Sequence, residues 1–339
     1  MLLESGVPLV ERHDLFMFDL DGVVYVGPDA VPGVPEHLAR MRESGVSTAF
    51  VTNNASRPAR VVADHLRRLG IECADEDVVN SAQAAATLLR GSHPEGSRVL
   101  VLGGEGLVSA LLEVGLVPVQ DASDPDVVEL LTGFGPDVVW RDIMQAAARV
   151  RSGLPWTASN TDRTFPTPAG PLPGHGLLVR MIQEFSGAVP RVAGKPERPL
   201  LDATVARKGG RRPVMVGDRL DTDIEGGARA GVDTILVLTG VSGLEDLVTA
   251  APVRRPSFIC PTLADAFLPQ PVPGVVGDDV VLGGWAARVV DGVLEVVGAG
   301  RDSDWWRVGA TAAWRHADAT GETAVVHNVV APLQAATGS

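Results

Sequence analysis

Short apolar runs rich in Val and Leu recur along this chain, and patterns typical of helices lie between them. The runs are residues 15–19, 47–52, 98–102, 213–217 and 234–238. A helix is predicted from about Ser56 to Leu69, since Pro58 suits a first turn and Gly70 suits an end. Strands that alternate with helices build βαβ units. The sequence therefore predicts an α/β protein with a Rossmann-like parallel sheet.

With 339 residues the chain is too long for one ordinary hydrophobic core, so we expect more than one domain. The stretch 83–186 has its own predicted strands (98–102, 117–119, 127–132, 137–140) and helices (83–90, 105–114, 141–151, 175–186). About a hundred residues are enough for an inserted domain. We therefore predict a catalytic core of residues 1–82 and 187–268, with an inserted α/β cap at 83–186.

The end of the chain has a different character. Pro269–Gly274 predicts a stiff linker, and Asp291-Gly292 between two apolar runs predicts a hairpin. The predicted elements of this segment are strands at 280–290, 293–297 and 322–330 and a helix at 303–317. Residues 275–339 are therefore predicted to form a small α+β extension.

Composition narrows the range of partners. The net charge of −13 opposes binding to nucleic acid and to anionic membranes, and no apolar run is long enough to span a bilayer. The two cysteines lie far apart and no signal peptide is recognisable, which favours reduced thiols in the cytoplasm. A small phosphorylated metabolite is still a possible binding partner, because a local cation can make the electrostatic potential of a binding site positive in an acidic protein.

Two carboxylates stand directly after the first apolar run, at Asp19 and Asp21. A carboxylate at a strand end can attack phosphorus, and its neighbour can transfer a proton. We assign Asp19 as the nucleophile. Asp21 is then the general acid towards the leaving alkoxide and the base that activates water.

Polar residues that suit a phosphoryl group follow at long range. Thr52 offers a hydroxyl and Asn53 offers amide donors, and Lys195 adds a positive charge within a Gly-Lys-Pro turn. Phosphoryl transfer needs such charge neutralisation and positioning. Since ligands bind at the carboxyl ends of parallel strands, we expect one crevice to collect these residues, with the cap above it.

A second acidic motif follows the run 213–217. Asp218 would complete a hard oxygen site for Mg²⁺ together with the Asp19 carboxylate and the backbone carbonyl of Asp21. Asp223 lies five residues further on and is expected to orient Lys195 or metal-bound water.

Four motifs, Asp-Leu-Asp-Gly-Val-Val-Tyr, Val-Thr-Asn-Asn-Ala-Ser-Arg, Ala-Gly-Lys-Pro and Val-Gly-Asp-Arg-Leu-Asp-Thr-Asp-Ile, occur in this order. The set resembles the haloacid dehalogenase superfamily over about residues 12–268, and in particular its large-cap p-nitrophenyl phosphatase-like subfamily. This resemblance implies a magnesium-dependent phosphatase that forms an aspartyl phosphate. It also implies substrate-binding roles for Thr52, Asn53 and Asn54, and for Asn160, Asp162 and His175 of the cap.

With its extension, the whole chain is similar to the actinobacterial glycerol-3-phosphate phosphatases, which carry a partial acetyltransferase-like piece at the C-terminus. That similarity favours glycerol 3-phosphate as substrate, with phosphoglycolate, a nucleotide or a sugar phosphate as alternatives. A function of another class, an acyl-CoA-binding regulator, stays open because Val297–Arg301 resembles an acyl-CoA pyrophosphate loop. Caps of this size also leave a homodimer as a candidate assembly.

Overall fold

The computed structural model describes residues 1–165, 170, 172–327 and 331–332. The chain divides into two compact units: unit 1 comprises Met1–Thr48 and Gly209–Ser339, and unit 2 comprises Ala49–Lys208. The predicted division into core, cap and extension has different boundaries and remains a prediction. Within the described residues, no helix combines the length and the apolar character needed to cross a lipid bilayer.

The α-helices of the described residues, in chain order, are α1 Leu9–Arg12, α2 Val34–Glu43, α3 Ala59–Arg68, α4 Ser81–Ser92, α5 Glu105–Glu113, α6 Trp140–Arg151, α7 His175–Ser186, α8 Pro199–Lys208, α9 Glu225–Ala230, α10 Leu244–Val248 and α11 Asp302–Thr320. The strands are β1 Leu15–Phe18, β2 Tyr25–Val26, β3 Asp29–Ala30, β4 Ser47–Thr52, β5 Val78–Asn80, β6 Arg98–Leu102, β7 Val117–Val119, β8 Val127–Thr132, β9 Trp156–Ala158, β10 Thr164–Phe165, β11 Leu172–Pro173, β12 Arg191–Val192, β13 Pro213–Gly217, β14 Asp233–Leu236, β15 Phe258–Ile259, β16 Gly274–Val276, β17 Asp279–Leu282, β18 Trp285–Val290 and β19 Val293–Gly298. The five apolar runs of the sequence thus correspond to β1, β4, β6, β13 and β14.

Unit 1 contains a parallel sheet in the order β15-β14-β13-β1. All four residues of β1 are fully buried, as expected for a continuous apolar strand with both faces covered. Phe18 pairs with Val216, so the chain leaves β1 and β13 at neighbouring points of the same sheet edge. The register therefore brings the residues that follow these two strands side by side.

The C-terminal segment adds an antiparallel sheet, β16-β17-β18-β19, against which α11 packs. Asp291 and Gly292 close the predicted hairpin with φ of 49° and 80°, the left-handed pair that a two-residue type I′ turn requires. The strand predicted at 280–290 is two strands, because Gly283 and Gly284 turn the chain with φ of 57° and 92°. The segment is α+β, as predicted.

Only part of the last predicted strand, 322–330, belongs to the described residues. Residues 328–330 lie outside the described residues. Among residues 322–327, Val325 forms a single parallel bridge with Val293, and no extended strand.

Unit 2 contains a five-stranded parallel sheet in the order β12-β9-β8-β6-β7, and β4 pairs in parallel with β5. The predicted strand at 137–140 is wrong. Pro136 has no N–H for a ladder, Val138 N donates to Gly135 O in a turn, and α6 begins at Trp140. Each unit contains a parallel sheet flanked by helices, so the predicted α/β class is confirmed.

Candidate active site

Three carboxylates of unit 1 lie together at the edge where β1 and β13 end. One oxygen each from Asp19, Asp218 and Asp223 lies within 4.8 Å of the others. Asp19 follows β1 directly and its N–H donates to Val216 O at 2.9 Å, which continues the sheet register. Such a group of hard oxygen ligands can hold a divalent cation.

Asp218 has an environment that favours a cation. Its side chain is fully buried, its Oδ2 accepts from Val241 N at 2.7 Å, and its Oδ1 has no hydrogen-bond partner among the described residues. Burial raises the pKa of Asp218 well above its usual range, and the neighbouring carboxylates of Asp223 and Asp19 raise it further. A bound cation would satisfy the buried oxygen and balance these charges, so the residues present fit Mg²⁺.

Two glycines allow the loops to approach Asp218. Gly22 has a φ of 84°, and a Cβ on it would lie 2.6 Å from Asp218 Oδ2. A Cβ on Gly240 would overlap the same oxygen. Thr239 Oγ1 donates to Gly22 O at 2.6 Å, which ties the two loops together.

The segment Thr239–Ser242 was not identified as part of the site from the sequence. Besides the Val241 bond, Ser242 N donates to the backbone O of Asp218 at 3.0 Å. The sequence does contain an indication of this segment, a Thr-Gly pair directly after the predicted strand 234–238. That strand ends at the same sheet edge as β1 and β13.

Asp21 lies in the turn between β1 and β2 and is exposed. The turn is fixed by its backbone, with Gly22 N donating to Tyr25 O at 2.8 Å. An exposed carboxyl group can exchange protons with water, which is compatible with the predicted acid and base roles of Asp21.

In unit 2 the chain leaves β4 at Thr52, which is 5% exposed. Thr52 Oγ1 accepts from Asn54 N at 3.1 Å. Asn54 Oδ1 in turn accepts from Ser56 N at 3.0 Å and from Ser56 Oγ at 2.7 Å, an Asx turn that leads towards α3. Local hydrogen bonds of these side chains therefore shape the loop after β4.

Lys195 is buried, with 1% of its surface exposed, and its Nζ lies 3.4 Å from Val51 O. Asn53 contacts its backbone twice: Lys195 N donates to Asn53 Oδ1 at 2.8 Å, and Asn53 Nδ2 donates to Lys195 O at 2.9 Å. The predicted pair Asn53 and Lys195 is therefore brought together, although 142 residues separate them in the sequence.

Two of the three predicted substrate-binding residues at 160–175 bond to Asn53, and the third bonds to Asn160. Asn160 Nδ2 donates to Asn53 O at 2.7 Å, and Asn53 Nδ2 donates to Asp162 Oδ1 at 3.1 Å. His175 Nδ1 donates to Asn160 O at 2.9 Å, and burial lowers the pKa of His175 to about 4. Ser81, which sequence reasoning missed, donates from Oγ to Asn53 O at 2.6 Å.

Comparison with known proteins agrees with this geometry. A family model described as haloacid dehalogenase-like hydrolase matches residues 16–117, and one described as HAD-hydrolase-like matches residues 192–266. Together the two matches cover more than half of the chain.

Two curated relatives are phosphatases by name. D-glycerol 3-phosphate phosphatase of Mycobacterium tuberculosis is 45% identical over 252 residues, which are 74% of this chain and 70% of the relative. An acid sugar phosphatase of Staphylococcus aureus is 34% identical over 240 residues, 70% of this chain and 91% of the relative.

Solved structures show the same similarity. The glycerol phosphate phosphatase of M. tuberculosis in complex with magnesium has a TM-score of 0.83 and 39% identity, with 92% of this chain and 93% of that chain covered. A 4-nitrophenylphosphatase of Thermotoga maritima has a TM-score of 0.70 and 30% identity, with 76% and 97% covered. The chain therefore belongs to the haloacid dehalogenase-like hydrolases, and the resemblance stated from its motifs is confirmed.

Proposed function

We propose that this protein is a Mg²⁺-dependent phosphatase that hydrolyses glycerol 3-phosphate through an aspartyl phosphate at Asp19. The observation that carries the proposal is the group of three carboxylates, Asp19, Asp218 and Asp223, within 4.8 Å of one another at one sheet edge. The buried Asp218 Oδ1, which lacks a partner among the described residues, supports a cation in this group.

The first step is attack on phosphorus. A carboxylate oxygen of Asp19 forms a bond to phosphorus while the bond from phosphorus to the glycerol oxygen breaks. Asp21, protonated at this point, gives its proton to the departing alkoxide. Glycerol leaves, and the phosphoryl group stays on Asp19.

The second step uses the same two residues. The Asp21 carboxylate takes a proton from a water molecule, whose oxygen bonds to phosphorus while the bond from phosphorus to Asp19 breaks. Orthophosphate leaves, and Asp21 is again protonated. Two carboxyl groups in these roles thus account for both halves of the reaction.

Charge neutralisation is the second requirement. Mg²⁺ would be held by Asp19, Asp218 and the backbone carbonyl of Asp21, and it supplies positive charge against the phosphoryl oxygens. Asp223 is proposed to support this group. Lys195 contributes a second positive charge, and Thr52 contributes its hydroxyl as a donor to the phosphoryl group.

Glycerol 3-phosphate is proposed because the mycobacterial relative is a D-glycerol 3-phosphate phosphatase by name, and the mycobacterial structure is that of a glycerol phosphate phosphatase. Phosphoglycolate, a nucleotide or a sugar phosphate are the alternatives, the last supported by the staphylococcal relative. We also propose a cytoplasmic location and a homodimer. An acyl-CoA-binding regulator that acts through the C-terminal segment is the alternative from another class.

The test is phosphate release with Mg²⁺ across glycerol 3-phosphate, phosphoglycolate, nucleoside monophosphates and sugar phosphates, with Asp19→Asn in parallel. Selective turnover of glycerol 3-phosphate that is lost in Asp19→Asn would support the proposal. Turnover of another compound in the panel would keep the mechanism and change the substrate. Full activity of folded Asp19→Asn would exclude the aspartyl phosphate.

A further inference from the structure

The side chain of Asn53 is fully engaged by the protein. Its Oδ1 accepts from Lys195 N, and the two N–H groups of its amide donate to Lys195 O and Asp162 Oδ1. Its exposed fraction is only 8%. An amide with both donors in use has none left for a phosphoryl oxygen unless one of these bonds breaks. The donor role towards phosphate that the sequence suggested for this side chain does not fit these contacts.

The side chain of Asn53 bonds to both backbone groups of Lys195, its N–H and its C=O, and so forms a clamp on this residue. Such a clamp fixes the peptide planes on both sides of the Lys195 Cα atom. Gly194 shows how closely the segment approaches, since a Cβ on it would lie 2.6 Å from Asn53 Oδ1. The stem of Lys195 is buried, and its tip lies 3.4 Å from Val51 O. Asn53 therefore fixes the backbone from which the buried side chain of Lys195 extends.

The third bond of the Asn53 side chain leads to another loop. Asp162 N donates to Asn160 Oδ1 at 3.1 Å, and Asn160 Nδ2 donates to Asn53 O at 2.7 Å. His175 Nδ1 donates to the carbonyl of Asn160 and holds it in place. Asn53 thus joins the loop around Asp162, within the predicted cap, to the backbone of Lys195.

We infer that Asn53 and Asp162 are positioning residues for Lys195: Asp162 fixes the amide of Asn53, and Asn53 fixes the lysine. The inference rests on the proposed phosphatase function. Asp162 then serves as a hydrogen-bond acceptor for Asn53, and its charge is not needed to contact the substrate. The Asn53 amide likewise acts through Lys195 and does not bind the phosphoryl group itself.

An exchange of donor and acceptor tests this inference. Asn53→Asp removes the donors and sets a second carboxylate against Asp162, so we expect kcat/KM to fall about 100-fold as Lys195 shifts. Asp162→Asn keeps an acceptor oxygen for Asn53, and its kcat/KM should stay within about threefold of wild type. In the double variant, the new amide at position 162 can donate to the new carboxylate at position 53, and about tenfold of the lost activity should return.

Asn80→Asp is the matched control. Asn80 is buried in unit 2, caps α4 through Oδ1, and donates from Nδ2 to Arg57 O. The substitution makes the same change of charge and loses the same kind of donor, at a side chain that bonds to Arg57 O and Gln83 N and not to Lys195 or Asp162. We expect a lower thermal midpoint with kcat/KM within about twofold of wild type. A loss as large as that of Asn53→Asp would show that general destabilisation explains both, and would overturn the inference.

The other outcomes are also decisive. If Asp162→Asn alone costs as much as Asn53→Asp, and the double variant is worse than either, Asp162 contacts substrate and the inference is wrong. If the double variant recovers nothing, Asn53 acts on the phosphoryl group directly and the inference is equally wrong. Wild-type protein without turnover would instead refute the proposed function. In that case the inference is tested by urea unfolding in EDTA. The double variant should have a higher unfolding midpoint than Asn53→Asp alone, and an equal or lower midpoint would contradict the proposed bond between the two side chains.

Discussion

Replacing Asp218 by Asn should stabilise the metal-free protein and abolish its stabilisation by Mg²⁺. Asp218 is fully buried and shares its site with Asp19 and Asp223. Without a cation, the three carboxylates repel one another. Asparagine keeps an oxygen for the Val241 N–H, and its amide group can donate to the neighbouring carboxylates.

The size of the effect follows from the distance between the carboxylates. At the 4.8 Å limit within which these oxygens lie, two unit charges repel by about 3.5 kcal/mol at an effective dielectric constant of about 20. The raised pKa of Asp218 lets a proton relieve part of this repulsion, so we expect Asp218→Asn to gain about 1–3 kcal/mol. A unit of this size gains about 2–4 °C in Tm for each kcal/mol. Wild type should gain about 2.7 kcal/mol from Mg²⁺ at 100 times its Kd, and the variant nothing.

Thermal unfolding in EDTA and in MgCl2 measures both effects. Asp221→Asn is the control, because Asp221 lies close to Asp218 in the chain but is about half exposed and paired with Arg219 outside the cluster. That variant should stay within about 0.5 kcal/mol of wild type and keep its response to Mg²⁺. A Tm of Asp218→Asn in EDTA at or below that of wild type would refute the argument from carboxylate repulsion. A retained Mg²⁺ response would show that the cation binds elsewhere.

Three further predictions concern other parts of the molecule. The pKa of His175 is about 4 in the folded protein against 6.5 when unfolded, so the unfolded state binds protons first as the pH falls. This residue should therefore lower stability by about 3 kcal/mol from pH 6.5 to pH 4. In denaturant titrations, the loss of stability over this range should be smaller by that amount in His175→Asn than in wild type. Arg307→Met leaves the buried carboxylate of Asp304 without its cation and should cost about 3–5 kcal/mol in urea unfolding, whereas an unchanged midpoint would mean that the pair adds nothing. Gly240→Ala should abolish Mg²⁺-dependent stabilisation in calorimetry, because its Cβ would overlap Asp218 Oδ2; normal Mg²⁺ binding would show that the loop moves without penalty.

The sheet and the acidic cluster could be predicted because both follow from local patterns. A short, continuous apolar run such as 15–18 is typical of a strand that is buried on both faces. The residue that follows such a strand lies at the edge of the sheet. The strand register then brings Asp19 and Asp218 together. The predicted strand at 137–140 failed because Val138 and Val139 suit a strand by propensity, while the turn at Pro136 and the start of α6 decided the local structure.

The contacts of Asn53 could not be predicted, because they depend on tertiary structure over long sequence distances. Nothing near Asn53 in the sequence distinguishes an amide that binds substrate from one that clamps a lysine 142 residues away. The carbonyl of Val51 and the hydroxyl of Ser81 enter the same neighbourhood without any motif. Motifs identify which residue types meet at a site, whereas the hydrogen-bond partners of each side chain require coordinates.

The C-terminal segment is built into the unit that carries the acidic cluster. Trp314 of α11 is buried, and its Nε1 donates to Leu247 O at 2.7 Å. Leu247 belongs to α10, which begins three residues after Val241, the donor to Asp218. Arg307 reaches from the same helix to Ile259 O at 3.3 Å, at the end of β15. These buried contacts of Trp314 and Arg307 attach α11 to the rest of unit 1. The C-terminal segment therefore helps to hold the loops around Asp218 in place.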